Sequence, residues 1–385
     1  MSDALREEFR RLFGHEPHLV VRSPGRVNLI GEHTDYNDGW VFPAALDLGT
    51  SIAAGSSGAD TLHVVAPRMN GEDVVPLSDL RPGEGPEWTR YVRGSADLLQ
   101  RGGIDIPGAE LLIDSDLPIG GGLSSSASLE LGVLVALLTL ANQEMDRTRL
   151  ALLGQRVENE VVGVQSGIMD QLAVGLGLAN HALLIDCRTL KVDPVPIPPG
   201  VRVLILDSAV PRTLAGSAYN QRRAECESAL RTLQAAEPGL VALRDVTPEL
   251  LESELWRLED PQRMRARHVV SENQRVLHGA QALREGDVAR FGQLMDDSHA
   301  SLRDDYEVSG PELDELVAIA QQTPGVLGAR LTGAGFGGCA VALVAADQAA
   351  QAATDIAERY MQMTGRAGSS YICTPSNGTH VAWTS

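Results

Sequence analysis

The stretch Asp116-Leu117-Pro118-Ile119-Gly120-Gly121-Gly122-Leu123-Ser124-Ser125-Ser126-Ala127-Ser128 follows a short apolar run at residues 111–113 and opens a long apolar one over residues 127–141. The pattern predicts a strand, a glycine and serine loop, and a buried helix. Gly120, Gly121 and Gly122 let backbone amides converge, and the helix start adds about half a positive charge, so a polyphosphate can be held there without a lysine. The hydroxyls of Ser124, Ser125 and Ser126 can also reach Mg²⁺. The same residues suit an ordinary serine-capped helix behind a flexible loop. Lysine matters here because Lys191 is the only lysine among 32 basic residues and has no glycine loop before it. Mechanisms built on a phosphate-reaching lysine, the P-loop and protein-kinase types, are thereby strongly disfavoured.

Upstream, Gly25-Arg26-Val27-Asn28-Leu29-Ile30-Gly31-Glu32-His33-Thr34-Asp35-Tyr36 continues a strand expected over residues 18–30, with Ser23-Pro24-Gly25 as a turn or bulge. Arg26, Asn28 and Ile30 share a strand face, and Glu32, His33 and Asp35 crowd into the turn that follows. Two acids and an imidazole in four residues can hydrogen-bond several adjacent hydroxyls, as a sugar presents. A solvated turn fits equally well. A metal site fits poorly, because no second His stands at helical spacing.

Downstream, Leu331-Thr332-Gly333-Ala334-Gly335-Phe336-Gly337-Gly338-Cys339 contains a formal GxGxxG. The residues after it are strand-like and open no helix, so the dinucleotide reading fails. A close approach of backbone to a ligand or to another domain, or a plain hairpin turn, remains. Between these segments, Gly167-Ile168-Met169-Asp170-Gln171 places an acid in an apolar setting. Asp170 is either a helix cap or a base that orients a hydroxyl nucleophile.

The rest of the chain frames these segments. Residues 41–53 and 182–186 read as strands and 150–162 as helix; the proline-rich residues 193–200 break the pattern and mark a domain boundary. Beyond it, residues 201–206 form a strand, 216–320 are mainly helical, and 325–345 read as strand, glycine turn, strand. Two domains, 1–195 and 200–385, follow. The net charge of −19 disfavours nucleic acid and anionic membranes as partners. Residues 131–141 are too short an apolar run to span a bilayer, and the N-terminus has no secretory h-region, so a cytoplasmic location is expected. Cys187, Cys226, Cys339 and Cys373 are far apart and suit neither a disulfide framework nor a zinc site.

The three glycine-bearing segments, in this order, resemble the signature motifs of the GHMP kinases, and residues 25–36 are close to the galactokinase signature within that superfamily. Supporting likeness lies in Trp88-Thr89-Arg90-Tyr91-Val92-Arg93-Gly94, in residues 217–226 and in residues 267–272. The resemblance implies an α+β, two-domain GHMP kinase fold, with an N-terminal lobe like ribosomal protein S5 domain 2, a C-terminal α+β lobe and an active site in the cleft between them. It implies ATP and Mg²⁺ as cofactors, galactose as substrate at its anomeric hydroxyl, and a monomer.

By the same likeness, Glu32, His33, Asp35, Gly167 and Tyr219 would bind the sugar. Asp170 and Arg26 would be catalytic, Ser126 and Glu158 would hold Mg²⁺, and Trp88 and Tyr91 would lie by the adenine. Gly120, Gly121, Gly122, Leu123, Ser124, Ser125, Ser126 and Ala127 would bind the nucleotide phosphates. Two departures stand out: Pro211-Arg212-Thr213 where Arg-His is common, and Asp38 in place of a common glycine. Another GHMP kinase, for arabinose or an N-acetylated hexosamine, and a non-catalytic sugar sensor are the competing readings.

Overall fold

The computed structural model describes residues 2–118, 121–211 and 215–385. Its first sheet is built around the strand Leu19–Asn28, which pairs antiparallel with Pro43–Ser56 and His380–Thr384. Ala109–Ser115, Thr61–Ala66 and Gly71–Pro76 continue it to six strands. The register shifts between Pro24 and Arg26, because proline offers no ladder N–H and the extra residue is taken up as a bulge. Gly25 is required there: a Cβ would stand 2.7 Å from the Leu123 carbonyl oxygen and 2.5 Å from Leu117 Cδ2. That approach lets the Arg26 backbone N–H donate to the Leu123 carbonyl at 3.0 Å. The strand is thus stitched to the loop that precedes the helix Ser125–Leu140.

Residues 125–140 are apolar almost all round, so this helix is stable only when buried. Leu131 and Leu134 pack with Val92 and Leu99 of the helix Glu87–Arg101 against Ile52, Val64 and Leu111 of the sheet. Each such side chain contributes roughly 1.5–3 kcal/mol. The amphipathic helix Ser2–Phe13 covers the other face through Leu5 and Phe9. With both faces covered, Leu19–Asn28 is buried along nearly its whole length, without the alternation of a strand that has one face in water.

The second half carries an antiparallel sheet in the order Val326–Leu331, Cys339–Ala345, Val201–Asp207, Ser369–Cys373. Helices Pro311–Gln321 and Ala349–Thr364 pack on one face through Val317, Ile356 and Tyr360. On the other face, Val276, Phe291 and Met295 of helices Gln262–Arg284 and Val288–Asp304 share a core with Val27, Leu29 and Phe42. The two halves are therefore joined by common apolar packing.

Three local expectations change. Residues 150–162 are not one helix: Arg147–Arg156 gives way to a π-helical turn, Val157–Val162, that ends at Gly163 with φ 89°. The proline-rich stretch is not wholly irregular, since Lys191–Pro196 is an edge strand against His181–Asp186 in a small sheet with Trp40–Val41. Prolines are tolerated on an outer edge that needs no ladder donor. Finally, His380–Thr384 carries the chain back into the first sheet. No helix among the described residues is long and apolar enough to cross a membrane.

Candidate active site

The helix Ser125–Leu140 begins at Ser124, whose φ of 57° is left-handed and whose side chain does not cap the helix. Its Oγ instead donates to Asp170 Oδ2 at 2.5 Å. The orphan amides of the first turn are thereby left without a side-chain acceptor, at the end where the macrodipole favours an anion. Arg26, buried by the bulge, donates to both Asp170 oxygens at 2.8 Å through Nε and Nη2, and through Nη1 to the Gly122 carbonyl at 2.7 Å. One strand, one loop and the first turn of the helix Met169–Leu176 thus converge on a single carboxylate.

Ser126 Oγ donates to Glu158 Oε1 at 2.7 Å, and Ser166 donates to Glu158 Oε2. Burial, and then the charge of Asp170, push the Glu158 carboxyl above its ordinary range. The π-helical turn carries Glu158 to this point. Deeper still, Glu130 is fully buried one helical turn beyond Ser126, and its carboxyl is raised well above normal by desolvation and by Glu158. The Gln171 amide donates to Glu130 Oε2 at 3.4 Å.

Across from this cluster, the turn after Ile30 folds on itself. His33 has φ 61°, its carbonyl accepts from Asn37 Nδ2 at 2.9 Å, and Thr34 Oγ1 donates to the Trp40 carbonyl at 2.7 Å. Glu32 is buried with Oε1 accepting the Gly333 backbone N–H at 2.7 Å. The third glycine segment therefore serves as a close backbone approach to the turn. Asp35 lies against Gly167, where a Cβ would stand 1.8 Å from Asp35 Oδ2, so only glycine fits. Burial first, then the Asp170 charge, push the Asp35 carboxyl up to about 7. Tyr219 closes the wall, with ring centroids 5.5 Å from His33 and 5.2 Å from Tyr36.

The structure brings Arg26, Gly122, Leu123, Ser124, Ser126, Glu158 and Asp170 into one cluster, and Glu32, His33, Asp35, Gly167 and Tyr219 into a second beside it. Ser125 is exposed at the helix start, whereas Ala127 faces the core and can offer only backbone. Gly121 packs by Cys339 and Pro118; Gly120 lies outside the described residues. Tyr91 is half-buried near Glu158. Trp88 instead belongs to the sheet core, its ring so close to Gly71 that a Cβ there would stand 2.6 Å from Cζ2.

Sequence reasoning passed over Ser166, Glu130, Gln171 and Tyr306. Only Glu130 left a signal, as the one charge inside an otherwise apolar helix. Among the described residues no group of three or more His, Cys, Asp or Glu side chains is disposed to hold a metal.

Three family models match the chain: the galactokinase galactose-binding signature over residues 7–56, the GHMP kinases N-terminal domain over 90–178, and the GHMP kinases C-terminal domain over 280–361. The mevalonate kinase of Methanococcus jannaschii shares the fold, with a TM-score of 0.69 at 21% identity over 94% of this chain and 99% of that one. Fold and site together define a GHMP kinase. The galactokinase of Roseiflexus sp. (strain RS-1) is 50% identical over 97% of this chain and 95% of that relative. The crystal structure of Lactococcus lactis galactokinase complexed with galactose matches with a TM-score of 0.94 at 40% identity, covering 99% of each chain. The chain belongs to the galactokinase family.

Proposed function

We infer that this chain transfers the γ-phosphoryl group of ATP to the C1 hydroxyl of galactose, giving galactose 1-phosphate and ADP. The observation that carries the reading is the Asp170 carboxylate, held by Arg26 and Ser124 at an open helix N-terminus and facing Asp35. The sugar oxygen attacks the γ-phosphorus as its bond to the β,γ-bridging oxygen breaks, and the hydroxyl proton passes to Asp170. Three donors on that carboxyl support an orienting role in which the proton moves late, since a loose phosphoryl transition state needs little base strength. Arg26 lies where charge on the transferred group develops, an effect commonly worth 10²–10³-fold, roughly, per donor.

Glu32, His33, Asp35, Gly167 and Tyr219 form the sugar pocket. The amides of residues 120–127 and the serine hydroxyls cradle the phosphates. Tyr91 stands by the base, with Trp88 backing it from the core. Ser126 and Glu158 suit Mg²⁺, a hard cation that takes one or two carboxylates and completes its shell with phosphate oxygens and water. When bound, it neutralises charge on the polyphosphate. The lobes are residues 1–195 and 200–385, except that the last strand belongs to the first sheet. A cytoplasmic monomer is the accompanying reading, which sedimentation and cell fractionation check.

A coupled ADP-release assay on galactose, N-acetylgalactosamine, arabinose and glucose tests the function. Turnover is expected to be highest on galactose. Its absence there overturns the reading, and preference for another of the four revises the substrate.

A further inference from the structure

One hydrogen-bond chain runs from the sugar turn into the core of the C-terminal half, and chemistry fixes its direction. His33 Nε2 lies 3.2 Å from the Ala334 carbonyl oxygen. A carbonyl only accepts, so Nε2 carries the proton. Desolvation, with His268 alongside, holds the imidazole down at about 3, so the ring is neutral and Nδ1 is an acceptor. The donor to it, at 2.8 Å, is the Tyr36 hydroxyl. A phenol has one proton, so in the 2.7 Å contact between Tyr36 and Tyr306 it is Tyr306 that donates. The Tyr306 oxygen in turn accepts from the Cys226 thiol at 3.1 Å.

Tyr306 and Cys226 are wholly buried, and both lie in the C-terminal half, whereas His33 and Tyr36 flank Asp35. The aromatic rings reinforce the chain: His33 and Tyr306 centroids are 4.7 Å apart and His268 and Tyr306 centroids 4.5 Å apart. His268 Nε2 also contacts the Glu32 carbonyl oxygen at 3.1 Å. The turn is thus tied to the C-terminal half on both sides of His33. Both nitrogens of His33 are spent on the protein itself, so the pocket receives ring carbon from this residue.

We propose that Tyr306 is a positioning residue of the sugar site, acting through Tyr36 to align the His33 ring and to pin the turn that carries Asp35 against the C-terminal half. This rests on the sugar reading of the turn. The sequence alone gives Tyr306 no role, because it lies outside every motif quoted above.

Kinetics on Tyr306→Phe, Tyr36→Phe and the double variant test the proposal. Loss of the Tyr306 hydroxyl should raise the galactose KM about three- to tenfold, the worth of one hydrogen bond, with kcat and the ATP KM within about twofold. Tyr36→Phe should cost at least as much, and adding Tyr306→Phe to it should cost nothing more, since both act along one path. Additive losses, or an unchanged galactose KM in Tyr306→Phe, overturn the proposal. A second measurement does not depend on the tyrosine variants folding. In [¹⁵N]histidine-labelled wild-type protein, His33, assigned by its loss in His33→Asn, should be neutral and protonated on Nε2. A proton on Nδ1 overturns the proposal, and neither result depends on which sugar is turned over.

Discussion

At the start of the helix Ser125–Leu140 the chain leaves hydrogen-bonding capacity open, whereas in the turn at residues 31–37 it uses that capacity up internally. Ser124 gives its hydroxyl to Asp170 instead of capping the helix, so the first-turn amides remain for a ligand. In the turn, Glu32, His33, Thr34 and Asn37 all bond to the chain itself. The difference suits the two ligands proposed above. A polyphosphate brings charge and strong acceptors that repay exposed donors, so the loop needs little more than convergent amides. Sugar hydroxyls are neutral and exchange one water bond for one protein bond, so discrimination requires a wall that is already ordered. Asp35 spends Oδ1 on the Tyr36 backbone N–H at 3.0 Å and sets Oδ2 against Gly167, held in place by neighbours that are themselves bonded within the turn.

The largest effect is expected at the junction of the two regions. Asp170→Asn should lower turnover by about 10²–10⁴-fold, the range for a positioned acid or base, while calorimetry shows nucleotide and galactose still binding. Full activity in that variant would remove Asp170 from the mechanism. Next, Glu158→Gln should raise the half-saturating Mg²⁺ concentration roughly 10–100-fold, the scale seen when a metal site's support is lost. An unchanged Mg²⁺ titration would show that the phosphate end does not depend on this carboxyl.

The turn should respond to pH. Asp35, normally titrating near 3.8, is raised to about 7 in the fold, so kcat/KM for galactose should climb between about pH 6 and 8 as it ionises, and Asp35→Asn should flatten that limb. The linkage has a definite sign. Between its ordinary value and about 7 the native state binds the extra proton, so this group's contribution to stability declines as pH rises through that window. Asp35→Asn should therefore raise the melting temperature at pH 8 while weakening galactose; a lower melting temperature would contradict the burial account.

The smallest effect is expected at Glu130, whose carboxyl is raised well above its ordinary range by desolvation, which favours the uncharged form. Glu130→Gln keeps shape and polarity and should leave activity within about twofold, whereas Glu130→Ala opens a cavity and should lower the melting temperature. Loss of activity in Glu130→Gln would mean that a charge is needed there.

Legibility from the sequence followed the range of the interactions. The helix expected at residues 127–141 is Ser125–Leu140, and the hairpin expected at 325–345 is Val326–Leu331 with Cys339–Ala345. Both are written in neighbouring residues. Trp88 was expected at the adenine, yet its ring faces the sheet core, because which side of the helix Glu87–Arg101 is covered depends on the sheet it meets. The π-helical turn that delivers Glu158 left no readable mark either, since its composition is that of an ordinary helix.

The sequence by itself determined the loop proposed to hold phosphate: three glycines, a serine run and an apolar helix within one short stretch, with a lone lysine elsewhere to disfavour the other phosphate-binding designs. Local backbone freedom and helix polarity are properties of adjacent residues. Tertiary structure alone decided the partnerships that make the loop a site. Arg26 and Asp170 are 144 residues apart, Tyr36 and Tyr306 are 270, and Glu32 and Gly333 are 301. It also decided the charge states, because Asp35, Glu130 and His33 are moved from their ordinary values chiefly by desolvation, and desolvation exists only once the chain has folded around them.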